Sequence, residues 1–249
     1  MAQIISIHSF RGGTGKSNTT ASLAVLLAAK GKRVGVIDTD IQSPGIHILF
    51  GLEESQMQYA LNDYLWGKCA VEEAVYDVTP VQKSTNRGKL FLIPSSLKPG
   101  EIARILREGY DISQLSDGFL ELIESKQLDV LLVDTHPGLN EETLLSIALS
   151  DVLVIVLRPD QQDYQGTDVT VTVARRLQVP KMTLIVNKVP SAFDLEEIKV
   201  LVERTYACEV TAVLPHADEM MILGGNGIFA THYPDHPITQ TLADLAASL

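Results

Sequence analysis

The sequence has few cysteines and no long apolar run, and both shortages limit what the protein can be. Only Cys69 and Cys208 are present among the 249 residues, and they form no Cys-x-x-Cys pair. This excludes the disulfide framework of small secreted proteins and the usual ligand spacing of zinc sites. Nowhere do about 18 apolar residues follow one another, as a membrane-spanning helix requires. Residues 1–5 carry no basic leader, so we expect a cytoplasmic protein.

Positive charge is also in short supply. Twenty lysines and arginines stand against 31 aspartates and glutamates, which gives a formal net charge of −11. This balance favours solubility and disfavours attraction of the whole surface to nucleic acid or anionic lipid. A hydrophobic fraction of 45% is typical of an ordered globular chain. Because α/β folds of this length often form one unit, we predict a single domain over residues 1–249.

Short runs of valine, isoleucine and leucine alternate with segments of helical length. The runs predict strands over residues 4–8, 33–38, 89–94, 129–134, 152–157, 182–187 and 210–214. The intervening segments predict helices over 17–30, 101–107, 113–125, 141–148, 165–177, 194–206 and 238–247. Segments 51–55 and 83–89 are interpreted as polar loops. The alternation predicts an α/β fold with a doubly wound, mostly parallel sheet, whose ligands bind at the carboxyl ends of the strands.

A glycine-rich turn follows the first predicted strand and leads into a helix. Such a turn presents backbone N–H groups to phosphate oxygens, and the helix dipole favours negative charge there. Lys16 would lie at the β- and γ-phosphates, and the Ser17 hydroxyl would bind Mg²⁺. The pattern G-x-x-x-x-G-K-[ST] fails at its first position, where Phe10 stands. We predict an ATP/ADP site, rather than an empty turn, formed by Gly12, Gly13, Thr14, Gly15, Lys16, Ser17 and Asn18.

Aspartates end two of the predicted strands. Asp38 and Asp40 follow the run over 33–38, and Asp134 ends the apolar run over 129–134 in the manner of a Walker B strand. Carboxylates beside a metal-bound triphosphate can hold Mg²⁺ or orient the attacking water. We predict that Ser17, Asp38 and Asp134 surround Mg²⁺ and that Asp40 activates water. The alternative for Asp38 and Asp40 is a loop start with a helix cap.

The loop from Arg11 to Ser17, with Asp38-x-Asp40 and Asp134, resembles the ParA/MinD family of deviant Walker A ATPases over nearly the whole chain. That family's loop reads roughly K-G-G-x-x-K-[ST], and its early lysine reaches across a dimer to the partner's ATP. Arg11 stands at that position, which adds it to the catalytic set of Lys16, Asp38 and Asp40. Arginine keeps the charge but is bulkier and forked, and a solvated loop cation is the alternative.

The resemblance implies further roles for particular residues. Asn187 ends the strand over 182–187, where the family uses an asparagine to recognise adenine. Pro215 and His216 begin a segment that resembles the family's second base-facing loop. His136 stands where the family commonly has proline. A histidine there could sense charge, but we interpret it as a hydrogen-bonded loop side chain.

The family also implies partners and a cellular role. Its members form ATP-dependent homodimers, hydrolyse ATP slowly and position a cargo with an adaptor protein. The cargo could be a plasmid, a chromosome, a receptor array or a compartment such as the carboxysome, and the missing early lysine suggests a carboxysome-positioning, McdA-like member. Rival functions are an iron–sulfur carrier, which needs bridging cysteines, a metabolic P-loop ligase or kinase, and a nucleotide-bound scaffold without turnover.

Members of the family lie on membrane or on nucleoid DNA. Residues 241–249 contain no basic side chain, so the anchor of a MinD-like membrane-associated regulator is not evident. Weak, non-specific binding to nucleoid DNA is favoured instead, by basic patches that a dimer would duplicate. Each patch could also be a solvated helix face. The patches are Arg104 with Arg107, Arg175 with Arg176 and Lys181, and Lys199 with Arg204.

Overall fold

A computed structural model describes residues 2–80 and 88–249. The predicted loop over 83–89 therefore lies in part, at 83–87, outside the described residues. The strands are β1 (Gln3–His8), β2 (Arg33–Asp38), β3 (Tyr76–Asp77), β4 (Lys89–Ile93), β5 (Val130–Asp134), β6 (Val152–Leu157), β7 (Lys181–Val189) and β8 (Val210–Pro215). They form one sheet in the order β3-β4-β2-β5-β1-β6-β7-β8.

Every pair of neighbouring strands is parallel except β3 with β4. The predicted doubly wound, mostly parallel α/β sheet is therefore confirmed. The antiparallel edge strand β3 was not predicted, because two residues are too short to show a strand's alternation. The predicted end of β7 at residue 187 is also wrong, since the strand continues through an irregularity to Val189.

Eleven α-helices flank the sheet in the described part of the chain. The longer ones are α1 (Lys16–Ala29), α4 (Pro99–Glu108), α5 (Ser113–Lys126), α6 (Glu141–Ala148), α7 (Gln161–Arg176), α8 (Leu195–Tyr206) and α11 (Pro237–Ser248). The sequence predicted all seven, but the predicted start of α7 at residue 165 is wrong. Asp160 caps that helix by accepting from the backbone N–H groups of Gln162 and Asp163, so the helix begins at Gln161.

Four short helices were not predicted. They are α2 (Ile46–Leu49), α3 (Leu61–Leu65), α9 (Asp218–Leu223) and α10 (Phe229–His232). Each has four to six residues, which is under two turns and too short to show a helical period.

The central strands bring the functional loops together. β1 lies between β5 and β6, and β5 lies between β1 and β2. In the register of these parallel strands, Asp134 is opposite both Ile7 and Asp38. The carboxyl ends of β1, β2 and β5 therefore meet at one edge of the sheet, as expected for a ligand site in this fold.

The last helix uses its apolar face within the protein. Ile238, Leu242 and Leu245 of α11 are buried in the same hydrophobic cluster as the apolar side of α1. None of the helices in residues 2–80 and 88–249 combines the length and apolar character that crossing a bilayer requires. The buried face of α11 is thus part of the core.

Phe10, at the start of the glycine-rich turn, packs on α7. A Cβ atom added at Gly166 would overlap the Phe10 ring. Gly166 is itself buried in the helix, so its missing side chain makes the room that the ring occupies. The phenylalanine that replaces the usual first glycine therefore docks the turn onto α7.

Replacing Gly166 with alanine should destabilise the protein by about 1–3 kcal/mol, because the ring must shift to admit the methyl group. Gly100→Ala is the matched control, since Gly100 also lies in a helix but no atom comes within 4 Å of its added Cβ. That control should be neutral or stabilising by up to about 1 kcal/mol. Urea unfolding measures both, and equal effects would contradict the packing argument.

Candidate functional site

A cavity of about 250 Å³ lies at the carboxyl end of β1, and all of residues 12–18 line it. Gly13 and Gly15 have φ values of 79° and 98°, a left-handed conformation that glycine adopts without strain. α1 begins at Lys16, so the positive end of its dipole faces the cavity. The predicted phosphate-binding residues are thus brought together in a cradle that suits an anion.

The carboxylate of Asp134 is bound from the first turns of α1. Lys16 Nζ donates to its Oδ1 at 3.1 Å, and Ser17 Oγ donates to its Oδ2 at 2.7 Å. Thr20 Oγ1 lies 3.1 Å from Oδ1. Thr20 was not predicted, and its place one turn beyond Ser17 on the same helix was the available signal.

Asp38 lies beside Asp134 on the neighbouring strand and is fully buried. Burial, with the nearby charge of Asp134, raises the pKa of Asp38 well above its usual value. The backbone N–H of Asp40 donates to Asp38 Oδ1 at 3.0 Å. A divalent cation such as Mg²⁺ would favour the ionised form of both adjacent buried carboxyl groups, so the chemistry of this cluster fits Mg²⁺. Ser17, Asp38 and Asp134 would hold it.

Asp40 lines the phosphate cavity and is held by a histidine. Its Oδ1 lies 2.6 Å from His136 Nδ1 and accepts from the backbone N–H of Ser43 at 3.1 Å. The contact agrees with the interpretation of His136 as a hydrogen-bonded loop side chain. Water activation by Asp40 stays a prediction, and its place in the cavity suits that role.

Arg11 lies at the N-terminus of α7 and does not line the phosphate cavity. One of its guanidinium nitrogens lies 3.8 Å from Asp160 and 3.7 Å from Asp163. Arg158 binds the same two carboxylates more closely, at 3.2 and 3.0 Å. The Arg11 side chain remains 41% exposed. Asp160 and Asp163 were not predicted; an aspartate just before a helix signals a cap, which applies to Asp160.

The irregular end of β7 braces the glycine-rich turn. Asn187 is buried, and its Nδ2 donates to the carbonyl of Thr14 at 2.8 Å. Its Oδ1 accepts from the backbone N–H of Lys188, whose Nζ donates to the carbonyl of Gly13 at 2.8 Å. Both polar atoms of Asn187 are thus bonded within the protein. Its recognition of adenine stays a prediction, and the brace formed by Lys188 was not predicted.

A second cavity, of about 760 Å³, adjoins the first. Lys188 lines both, and Pro215, His216 and Asp218 line the second. Because a nucleotide places its base about one ribose away from its phosphates, this arrangement suits the predicted base-facing role of Pro215 and His216. The base-facing role of these two residues stays a prediction.

Three cations of two predicted basic patches are already bonded within the protein. Arg175 donates to the carbonyl oxygens of Tyr206 and Ala207, and Lys181 donates to that of Ser248. Arg104 forms an ion pair with Glu108 and stacks on Trp66 at 4.3 Å. These cations hold helix ends or neighbouring side chains, which reduces what they could offer to DNA.

The two cysteines lie in different parts of the core. Cys69 packs against one hydrophobic cluster and Cys208 against another. Burial raises the pKa of both thiols, that of Cys69 to about 11, and this disfavours the thiolate that a cluster needs. In the described ranges no three His, Cys, Asp or Glu side chains form a ready-made metal site. Mg²⁺ does not need one, because it commonly uses one or two carboxylates with substrate phosphates.

Known proteins are similar to this chain in sequence and in fold. An uncharacterized ATP-binding protein of Methanocaldococcus jannaschii is 28% identical over 256 residues, which cover 100% of this chain and 88% of that protein. An iron-sulfur cluster carrier protein of Methanococcus maripaludis is 30% identical over 186 residues, or 74% of this chain and 59% of that protein. The septum site-determining protein MinD of Pyrococcus horikoshii, solved with Mg-ADP, aligns with a TM-score of 0.80 at 21% identity, over 100% of this chain and 96% of that one.

A family model agrees with these likenesses. The ParA model, described as NUBPL iron-transfer P-loop NTPase, matches residues 1–247. The match includes the phosphate cradle of residues 12–18, β5 and the end of β8. The chain therefore belongs to the ParA family of P-loop NTPases.

Proposed function

We propose that this P-loop NTPase is a Mg²⁺-ATP-dependent dimerising ATPase that acts as a spatial positioning switch. The ATP-bound dimer would hold a cellular surface, and an adaptor protein that stimulates slow hydrolysis would release it. The single observation that carries the dimer is the position of Arg11, at the rim of the site but outside its own phosphate cavity.

The contacts of Arg11 support a role toward a second subunit. Its ion pairs with Asp160 and Asp163 are long, at 3.8 and 3.7 Å, and the side chain is partly exposed. Pairs of this kind contribute at most about 1 kcal/mol. A guanidinium binds phosphate through two parallel hydrogen bonds, which are stronger. A phosphate of the partner's ATP would therefore compete well for Arg11.

Hydrolysis would use groups within one subunit. The cradle of residues 12–18 and Lys16 would bind the phosphates, while Ser17, Asp38 and Asp134 would surround Mg²⁺. A bound Mg²⁺ supplies positive charge to the phosphate oxygens and offsets the two buried carboxyl groups. Asp40 lines the cavity, where it would accept a hydrogen bond from the attacking water.

Iron–sulfur transfer is the second candidate, because the matching family is described by iron transfer and three relatives are named for iron–sulfur clusters. The cluster would be a cargo rather than a resident cofactor. The thiols disfavour iron–sulfur transfer, because each is partly buried and burial raises the pKa of both. A bridging cluster between two subunits needs paired, accessible thiolates on the shared face.

The surface and the cargo are also proposals. A MinD-like membrane role is disfavoured because the apolar face of α11 is buried against the core. We propose that the surface is nucleoid DNA within the cytoplasm, bound in a salt-dependent way.

A plasmid, a chromosome and a carboxysome remain alternative cargoes, since none of the contacts described above identifies one. A metabolic ligase or kinase would instead respond to a small molecule.

Asp40→Ala should lower ATP hydrolysis by about 100-fold, because the attacking water loses its acceptor. The variant should still bind ATP and should accumulate as a dimer, measured by phosphate release and by light scattering during gel filtration. Asp244→Ala, at an exposed position of α11, is the control and should behave as the native chain. If the native chain and Asp40→Ala both remain monomeric in the presence of ATP, the proposed switch is contradicted.

Arg11→Ala should weaken the ATP-dependent dimer by about 30-fold, the effect of losing one partner of a buried charge pair. Arg11→Lys should recover part of this affinity, because it keeps the charge without the fork. Sedimentation with a non-hydrolysable ATP analogue measures the dissociation constants, with Arg107→Ala on α4 as an exposed-arginine control. An unchanged constant for Arg11→Ala would leave Arg11 as a solvated loop cation.

Replacing both Cys69 and Cys208 with alanine should leave ATP hydrolysis and dimerisation within about twofold of native, because neither thiol lines the cavities described above. The native protein, incubated anaerobically with iron and sulfide, should retain no stoichiometric cluster. Iron and acid-labile sulfide analysis measures this. A cluster bound by the native chain and lost in the double variant would instead support iron–sulfur transfer.

A further inference from the structure

We infer that His136 is a positioning residue that holds the carboxylate of Asp40 in place for hydrolysis. The inference rests on the proposed function, since it concerns the residue that would orient the attacking water. It begins from the distance of 2.6 Å between His136 Nδ1 and Asp40 Oδ1. A hydrogen bond this short to a carboxylate is of the strong, charge-assisted kind.

The surroundings of the pair favour a fixed geometry. The side chains of His136 and Asp40 are only 20% and 14% exposed, so little water competes for their contact. The backbone N–H of Ser43 also donates to Oδ1. Among residues 2–80 and 88–249 no group donates to Oδ2 of Asp40. One carboxylate oxygen is thus held by the protein, and the other is left for a water molecule.

Of His136 and Asp40, only Asp40 lines the phosphate cavity, together with Pro137. His136 therefore acts through Asp40 and does not touch the reacting atoms. It is a positioning residue and Asp40 is the catalytic one.

His136 is itself anchored. It lies two residues after Asp134, and its carbonyl accepts from Thr143 Oγ1 of α6 at 3.2 Å. The contact with Asp40 thus ties the segment after β2 to the end of β5. A proline at position 136 has no side-chain donor, so a chain with proline there would lack this tie. The contact with Asp40 therefore depends on the histidine that this chain has at position 136.

Three substitutions at position 136 separate positioning from general packing. The amide nitrogen of asparagine lies as many bonds from the backbone as His136 Nδ1, whereas that of glutamine lies one bond further. His136→Ala and His136→Gln should lower kcat for ATP hydrolysis by about tenfold, since a misplaced catalytic group loses its alignment. His136→Asn should stay within about threefold of native. In all three the KM for ATP should change by less than about twofold.

A double-mutant cycle tests whether His136 acts through Asp40. His136→Ala should cost nothing further in the Asp40→Ala background, because the carboxylate that it holds is already gone. His232→Ala, on α10 and outside the phosphate cavity, is the control and should not change kcat. A tenfold loss that persists in the Asp40→Ala background, or equal losses for His136→Asn and His136→Ala, would overturn the inference.

Failure of the inference and failure of the proposed function look different. If the native chain hydrolyses ATP and His136→Ala is equally active, the inference is contradicted and the proposed function is not. If the native chain has no ATPase activity, the proposed function is contradicted. Urea unfolding of the native chain, His136→Ala, Asp40→Ala and the double variant then tests the contact. Non-additive midpoints support the contact between positions 40 and 136, and additive midpoints overturn it.

Discussion

The buried carboxylate of Asp134 is the point on which the site is assembled. It accepts hydrogen bonds from Lys16 and Ser17 at 3.1 and 2.7 Å, which fixes the first turn of α1 against the end of β5. A buried carboxylate without such partners would be strongly destabilising. The carboxyl of Asp38 lies beside it, and ionising both groups needs more positive charge than Lys16 supplies. The carboxyl groups that fix the loop would thus also be stabilised by a bound cation.

The phosphate cradle is also held from its other side. Asn187 and Lys188, at the irregular end of β7, donate to the carbonyl oxygens of Thr14 and Gly13. Phe10 packs on Gly166 of α7. The loop is therefore braced by β5, β7 and α7 together, a preorganised arrangement that lowers the cost of binding phosphate. Arg11 alone of the loop's charged groups is left at the rim.

The family of this chain includes proteins that use the same phosphate cradle for different functions. Groups outside the cradle must therefore determine which function a member has. Here those groups are the two separated, partly buried thiols, the buried apolar face of α11 and the exposed guanidinium of Arg11. Together they support the dimeric switch proposed above. The contact of His136 with Asp40 would then set how fast the switch resets.

The sequence by itself determined the sheet, the longer helices, the phosphate loop and the aspartates at the strand ends, because each follows from a local period or turn. It did not reveal β3 and the four short helices, which are too short to carry a period. Nor did it reveal that His136 holds Asp40, or that Asn187 faces the loop. Those partners are 96 and 173 positions apart in the sequence. Only the order of strands in the folded sheet brings their loops together, so the tertiary structure decided those contacts.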